Sequence, residues 1–341
     1  MATLTLALDA MGGDHGPSIV IGALKRALKT FPEVHFIVVG DQAELKPLLA
    51  QAKLTDHPQV SLQHASQVVT MTDKPGYSLR AKPDSSMRVA LDLVASEQAA
   101  ACVSAGNTGA LMTKAYFTLK TLPGVARPAL MSSLPQRDGG TAFILDLGAN
   151  PVCDSDSLFQ FGVMGSVAAQ QVLAVDKPRI ALLNMGEEDI KGNDVVKAAA
   201  NLFQQAAELN YIGFIEGNDI FLNKADVIVC DGFVGNVALK SCEGLAELLV
   251  GNIKANIEQH WLTRFLVKLF YRRLQRSWDW LKPDHYNGAS LIGLRGVVIK
   301  SHGNATERGF FSAIEQAVAE TQQDLPAQVR EQIEQILLAQ E

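Results

Sequence analysis

Residues 8–17 read L-D-A-M-G-G-D-H-G-P, an acidic turn with paired glycines set between two apolar segments. Upstream, T-L-T-L-A-L-D alternates and then saturates with apolar side chains, the pattern of a strand entering a buried sheet. Downstream, Pro17 and Ser18 open I-V-I-G-A-L-K-R-A-L, which has helical spacing and a proline suited to a first helical turn. A strand, a tight turn and a helix N-terminus present unpaired backbone N–H groups, a layout that suits an anion. A plain βα loop that takes glycine only for its backbone angles has the same sequence. Other loops of this kind separate the two readings.

The strand-then-helix unit recurs. V-H-F-I-V-V-G, A-A-A-C-V-S, T-A-F-I-L-D-L, R-I-A-L-L-N, Y-I-G-F-I-E and A-D-V-I-V-C-D are short apolar runs, most of them followed by a turn and helical spacing. This alternation predicts a three-layer α/β/α fold with a mostly parallel sheet and ligands at the C-terminal strand ends. R-P-A-L-M-S-S-L-P-Q-R-D-G-G-T, Arg127 to Thr141, reads as a strand and hairpin-like turn. No repeat or linker divides the chain, so residues 1–341 are expected to form one catalytic α/β unit, with two lobes as the open alternative.

Composition narrows the class. A chain of 341 residues, 48% of them hydrophobic, buries a large core. The net charge of −6 argues against a general nucleic-acid binder. Cys102, Cys153, Cys230 and Cys242 are widely spaced and form no zinc pattern, so they read as reduced thiols and no metal is expected. Neither a signal peptide nor a membrane span is indicated, which gives a cytoplasmic expectation.

Four further stretches place glycine, asparagine and small residues at strand exits: Ala101 to Met112, Leu145 to Asn150, Leu182 to Asp194 and Cys230 to Lys240. With the opening turn they suggest one shared anion site. None matches a P-loop or a dinucleotide fingerprint, and there is no nucleophile elbow, H-E-x-x-H or cysteine–histidine arrangement. Lys191 and Asn236 are candidate catalytic groups, a charge partner and an amide donor. A surface lysine and a helix-cap asparagine are the plain alternatives.

The ordered set L-D-A-M-G-G-D-H-G-P, S-A-G-N-T-G-A-L-M, D-L-G-A-N, N-M-G-E-E-D-I-K-G, D-G-F-V-G-N-V-A-L-K and Y-N-G-A-S-L-I-G-L-R-G-V-V-I-K-S-H-G resembles the PlsX family of phosphate acyltransferases. The resemblance runs from Leu4 to Val318; Met185 and the D-K-P-G-Y stretch at Asp73 to Tyr77 are small departures. It implies an isocitrate dehydrogenase/phosphotransacetylase-like fold and no cofactor. It also implies transfer of an acyl group from acyl carrier protein to inorganic phosphate, with the acyl phosphate passed on to phospholipid synthesis. Phosphate is then the nucleophile, and the protein must hold it in near-attack geometry and stabilise charge on the carbonyl oxygen. The expected substrate-binding residues are Asp9, Gly12, Gly13, Asp14, Gly106, Asn107, Thr108, Asn150, Asp231 and Gly235. His15 and His302 are candidate acid/base groups or simple turn residues. A phosphotransacetylase-like enzyme using acyl-CoA and a non-catalytic membrane adaptor are the competing readings.

One more region departs from the acidic average. Between Trp261 and Lys282 six basic residues face one acid, Asp279, and residues 255–285 read as an amphipathic helical extension. Arg264, Lys268, Arg272 and Arg276 recur every four residues and form a basic stripe; Trp261, Leu262, Phe265, Leu266, Leu269 and Phe270 supply apolar and aromatic surface. An anionic membrane surface, acidic acyl carrier protein and a second subunit are each a fitting partner. The resemblance favours peripheral attachment to the inner face of the cell membrane, and a homodimer.

Overall fold

A computed structural model describes residues 4–259 and 287–340. Its strands are β1 (Thr5–Asp9), β2 (His35–Gly40), β3 (Val60–His64), β4 (Ala101–Ser104), β5 (Ala129–Pro135), β6 (Thr141–Leu145), β7 (Ile180–Leu183), β8 (Tyr211–Ile215), β9 (Val227–Val229), β10 (Ala289–Ile292) and β11 (Val297–Lys300). They form one sheet in the order β3-β2-β1-β4-β11-β10-β5-β6-β9-β7-β8. The apolar runs read from the sequence supply most of these strands. Three strands are not among those runs: β10 and β11, which occur only within the stretch that carries the family resemblance, and β3, an edge strand V-S-L-Q-H whose side chains are half-buried or exposed.

Helices α1 (Pro17–Thr30), α2 (Gln42–Gln51), α3 (Pro75–Ala81), α4 (Ser86–Ala95), α5 (Thr108–Leu119), α6 (Ser155–Val172), α7 (Asp194–Gln205) and α8 (Gly232–Gln259) cover the sheet with two later helices, Glu307–Gln322 and Leu325–Gln340. Strand alternation divides the core into layers. Leu6, Leu8, Phe36 and Val103 pack with α1 and helix Glu307–Gln322. Ala7, Val39, Cys102, Ile144 and Ile228 point to the other side, where α4 and α5 lie. Phe143, Leu145, Leu182 and Val229 pack under α6 and α7. This is the expected three-layer fold.

Strand direction changes within the sheet. β3, β2, β1, β4 and β11 are mutually parallel, as are β8, β7, β9 and β6. Between them, β10 pairs antiparallel with β11 and with β5, and β5 pairs antiparallel with β6. Three antiparallel steps leave the second block running against the first. The β5–β6 hairpin closes through Gln136, whose amide donates to the Gly140 carbonyl at 2.9 Å, and it follows the strand and turn read at Arg127 to Thr141. Strand exits of the two blocks therefore emerge at different ends, and the glycine loops form two sets.

Glu320 is buried on helix Glu307–Gln322 and accepts hydrogen bonds from Ser290 Oγ of β10 at 2.8 Å and Gln316 Nε2 at 2.7 Å. Burial pushes its carboxyl up to about 7, against those two hydrogen bonds. A carboxyl raised on folding stabilises the fold below its unfolded value, and that contribution is lost as pH rises through the folded value. Glu320→Gln is thus expected to gain stability relative to the wild type between about pH 5 and pH 8. Urea unfolding of both proteins across that range checks this, and a constant difference between the two curves would contradict it.

Candidate active site

Three loops meet at the C-terminal ends of β1, β4 and β11. A Cβ at Gly12 would stand 2.6 Å from the Gly106 amide nitrogen and 2.9 Å from Asp9 Oδ2, so only glycine permits the approach. The Asp14 amide donates to the Gly303 carbonyl at 2.7 Å, which brings in the loop after β11. Beneath them, Asp9 Oδ2 accepts from Ser104 Oγ at 2.6 Å, and Ser104 Oγ accepts from the Gly106 amide at 3.1 Å. Burial holds the Asp9 carboxyl above its ordinary value, opposed by hydrogen bonds from Ser104, Ser86 and the Met11 and Gly12 amides. A carboxyl biased toward its neutral form repels a nearby anion less than an ordinary aspartate does.

α5 leaves this cluster at Thr108, which lines the central cavity. Its cap is Asn107: Oδ1 accepts from the Ala110 amide at 3.0 Å, and Nδ2 donates to the Met71 carbonyl at 2.7 Å. The Asn107 side chain therefore holds the loop in place, and Thr108 is the residue of this loop that lines the cavity. The positive end of the α5 dipole there favours an anion.

The second set of loops follows β6 and β9. Asp146 is fully buried and collects five N–H groups: the Leu130, Gly148, Ala149 and Asn150 amides at 2.9, 3.2, 3.0 and 2.5 Å, and Asn150 Nδ2 at 2.9 Å. Asn150 Nδ2 also donates to the Pro128 carbonyl at 2.8 Å. These bonds commit the Asn150 side chain to shaping the turn. Asp231 caps the start of α8, its Oδ1 accepting from the Val234 amide at 2.8 Å. Gly235 lies against the Asp146 carbonyl, in space that a side chain would fill. Asn236 follows, lining the cavity beside Gly148, and its amide makes no hydrogen bond among the described residues.

One cavity of about 650 Å³ lies on the α5 face of the sheet, beside α8, and of the predicted site residues Thr108 reaches it from the first set and Asn236 from the second. Leu130, Leu134, Leu147, Phe221, Leu239 and Ala246 make much of its wall apolar. Lys300, Ser301 and His302 enter it from the end of β11. Lys300 is buried, and burial lowers its ammonium to about 8. At the rim, Lys240 Nζ pairs with Glu243 Oε2 at 2.6 Å, and Glu243 Oε1 lies 3.7 Å from His302 Nε2.

The structure thus groups Asp9, Gly12, Gly13, Asp14, Gly106, Asn107 and Thr108, and separately groups Asn150, Asp231, Gly235 and Asn236. Of all these, only Thr108 and Asn236 line the cavity; Lys191 belongs to neither group and does not line it. It stands on an exposed turn after β7 whose Glu187 pairs with Lys224 at 2.7 Å, next to the Phe221 and Leu222 segment of the wall. His15 is exposed outside the cavity, whereas His302 lines it. The sequence reading missed Lys300 and the Lys240–Glu243 pair. Its one signal for Lys300 was a lysine ending the apolar run V-V-I-K. The basic and aromatic residues read at 261–282 lie outside the described residues. Among the described residues, no helix is long and apolar enough to cross a membrane.

The family described as "Fatty acid synthesis protein" matches residues 4–328. The chain is 60% identical over 337 residues to a phosphate acyltransferase of Idiomarina loihiensis, covering 99% of both chains. It is 52% identical over 338 residues to a phosphate acyltransferase of Shewanella baltica, again covering 99% of both. In fold it is similar to the EutD phosphotransacetylase from Staphylococcus aureus, with a TM-score of 0.60 at 18% identity over 94% of each chain. A phosphotransacetylase from Streptococcus pyogenes gives a TM-score of 0.62 at 15% identity, also over 94% of each.

The closeness at Gly12 yields a direct test. Gly12→Ala sets a methyl against backbone, which cannot swing aside, and is expected to destabilise the fold by about 1–3 kcal/mol. Urea unfolding measures it; a wild-type midpoint would mean that the two loops part at no cost.

Proposed function

The chain belongs to the PlsX family of phosphate acyltransferases, and we propose that it takes its acyl group from a long-chain acyl carrier protein thioester. Acyl transfer to phosphate itself follows from the family. The observation that supports this reading is a single cavity with a long apolar wall, bordered by Thr108 at the start of α5 and by Lys300 to His302 at the end of β11. An acetyl group leaves such a wall uncovered, whereas a fatty acyl chain buries it, with about 0.8 kcal/mol for each methylene.

In this reading phosphate lies against the Gly12, Gly13 and Gly106 to Thr108 loops, where backbone N–H groups and the α5 dipole offset its charge. The thioester carbonyl lies toward Asn236, whose unengaged amide is available to the oxygen as it gains charge. A phosphate oxygen attacks the carbonyl carbon, the tetrahedral intermediate collapses, and the C–S bond breaks, the proton of the monohydrogen phosphate passing to the leaving sulfur to release the carrier thiol. No side-chain nucleophile is required. Asp146 positions Gly148 and Asn150 and so fixes the surface against which Asn236 works. Lys191 is the proposed charge partner of phosphate from the sequence; its place on an exposed turn makes that role the most separable part of the proposal.

Three partners complete it. The acidic carrier and an anionic membrane each meet a complementary charge in the basic stretch 261–282. Leu245, Leu248, Leu249 and Val250 expose apolar surface on α8 as it leads toward that stretch, which favours a surface-bound protein that delivers acyl phosphate to phospholipid synthesis. A second copy of the chain pairing along the same surface would cover part of it, and a homodimer is the proposed assembly.

Purified protein given long-chain acyl carrier protein is expected to release carrier thiol and form hydroxylamine-trappable acyl phosphate only when phosphate is present. Thiol release without phosphate would indicate a thioesterase, and turnover with acetyl-CoA alone would favour the phosphotransacetylase reading. Asn236→Ala is expected to lower kcat by about a hundredfold or more. Lys191→Ala with unchanged phosphate-dependent turnover would remove Lys191 from the mechanism.

A further inference from the structure

Lys300 is an uncommon residue for its position. It ends β11, a strand otherwise made of Val297, Val298 and Ile299, and the strands on either side bury it. A lysine in such a place loses most of its hydration, which costs several kcal/mol unless other groups replace the water. The replacements are sparse. Nζ donates to the backbone carbonyls of Ala105, at 3.5 Å, and Ser301, and no carboxylate lies within ion-pair distance among the described residues. Two carbonyls satisfy at most two of the three N–H bonds of an ammonium group.

Lys300 lines the cavity, and its contact with the Ala105 carbonyl sets Nζ directly behind the loop that carries Gly106, Asn107 and Thr108. Ser301, next in the chain and also part of the cavity wall, is fully buried, and its Oγ has no hydrogen-bond partner among the described residues. An underused ammonium and an unpaired hydroxyl therefore stand side by side at the anion loops. The charged groups around Lys300 are Asp9 and Asp14 from the β1 side and Lys240 from α8, with His302 two residues on. Burial acts most strongly against the charge on Nζ; Asp14 favours it, Lys240 opposes it, and Asp9 adds a weaker favourable contribution. Neither carboxylate forms a direct ion pair that would close the group to a ligand.

We propose that Lys300 is a phosphate-binding residue of the acyl transfer, its Nζ supplying the positive charge that the glycine loops lack, with Ser301 Oγ as the neighbouring hydrogen-bond donor. This rests on the placement of phosphate at those loops. Backbone amides carry only partial charges, and a multiply charged anion entering beside Asp14 needs a full cation to offset it. Lys300 meets that need from a buried site, where the attraction is stronger than at the surface. As phosphate attacks, its charge passes toward the thioester oxygen; a cation fixed on the phosphate side then raises affinity for phosphate more than it raises the rate of the step.

The test separates phosphate binding from scaffold. Initial rates are measured with phosphate and acyl donor varied independently, for the wild type, Lys300→Gln and Thr108→Val, with the melting temperature of each recorded. Lys300→Gln is expected to raise the phosphate KM at least tenfold while the acyl-donor KM stays within about twofold, a split that a general packing defect does not produce. An unchanged phosphate KM in Lys300→Gln overturns the proposal. If Thr108→Val raises the phosphate KM and Lys300→Gln does not, the loops bind phosphate without Lys300. If neither variant changes it, the placement at the loops fails as well. Should Lys300→Gln not fold, the wild-type enzyme gives the answer by acetylation with an amine-reactive reagent and peptide mass spectrometry. Saturating phosphate is expected to protect Lys300 while leaving exposed Lys25 labelled; Lys300 that is never labelled, or labelled equally with and without phosphate, overturns the proposal.

Discussion

The cleft depends on a reversal of strand direction at the middle of the sheet. A wholly parallel sheet sends all its βα loops to one end, where ligands gather along a single crevice. Here the antiparallel steps through β10 and β5 turn the second block around. Thr108 after β4 and Lys300 to His302 at the end of β11 line one border of the cavity, and Leu147 and Gly148 after β6 with Asn236 of α8 line another, with the β5–β6 hairpin between them; the β1 loop packs behind the first border against Gly106. A two-substrate reaction is served by that division, because an anion and an apolar chain need opposite environments within bonding distance of one another.

Each border is built around a buried carboxylate that faces its own backbone. Asp9 links the β1 loop to the β4 loop through Ser104, and Asp146 gathers five N–H groups into one turn. A buried hydrogen bond to a charged group contributes about 1.5–3 kcal/mol, so these two side chains fix loop shape more firmly than glycine-rich sequence alone would. Asp9 stands three residues before Gly12, and Asp146 two before Gly148. From sequence, Asn107 and Asn150 are expected at the substrate, whereas both side chains bond to the protein itself, Asn150 through Asp146, which the sequence does not single out.

That difference marks how far the sequence is legible. The strand of L-A-L-D, the glycine turn and the proline-led helix were readable because burial on both faces and the backbone needs of a tight turn leave local signatures. β3 left none, since V-S-L-Q-H is an edge strand with little apolar demand. The reversal at β10 was not readable from V-V-I-K and A-S-L-I, because strand polarity is set by which neighbours pair, a nonlocal matter. For the same reason Lys191 and Asn236 looked equivalent in sequence, one in E-E-D-I-K-G and the other in G-F-V-G-N-V, yet only Asn236 reaches the cavity wall. Lys300 carried the weakest signal and the most unusual environment, since burial is a property of the folded chain.

The most direct test of this division is to locate inorganic phosphate in the protein by crystallography at saturating phosphate. The expected result is one phosphate with oxygens in hydrogen-bond range of the Gly12, Gly106 to Thr108 loops and of Lys300 Nζ. Phosphate bound instead beside Gly148 and Asn236 would reverse the two borders and contradict the assignment of anion and acyl chain.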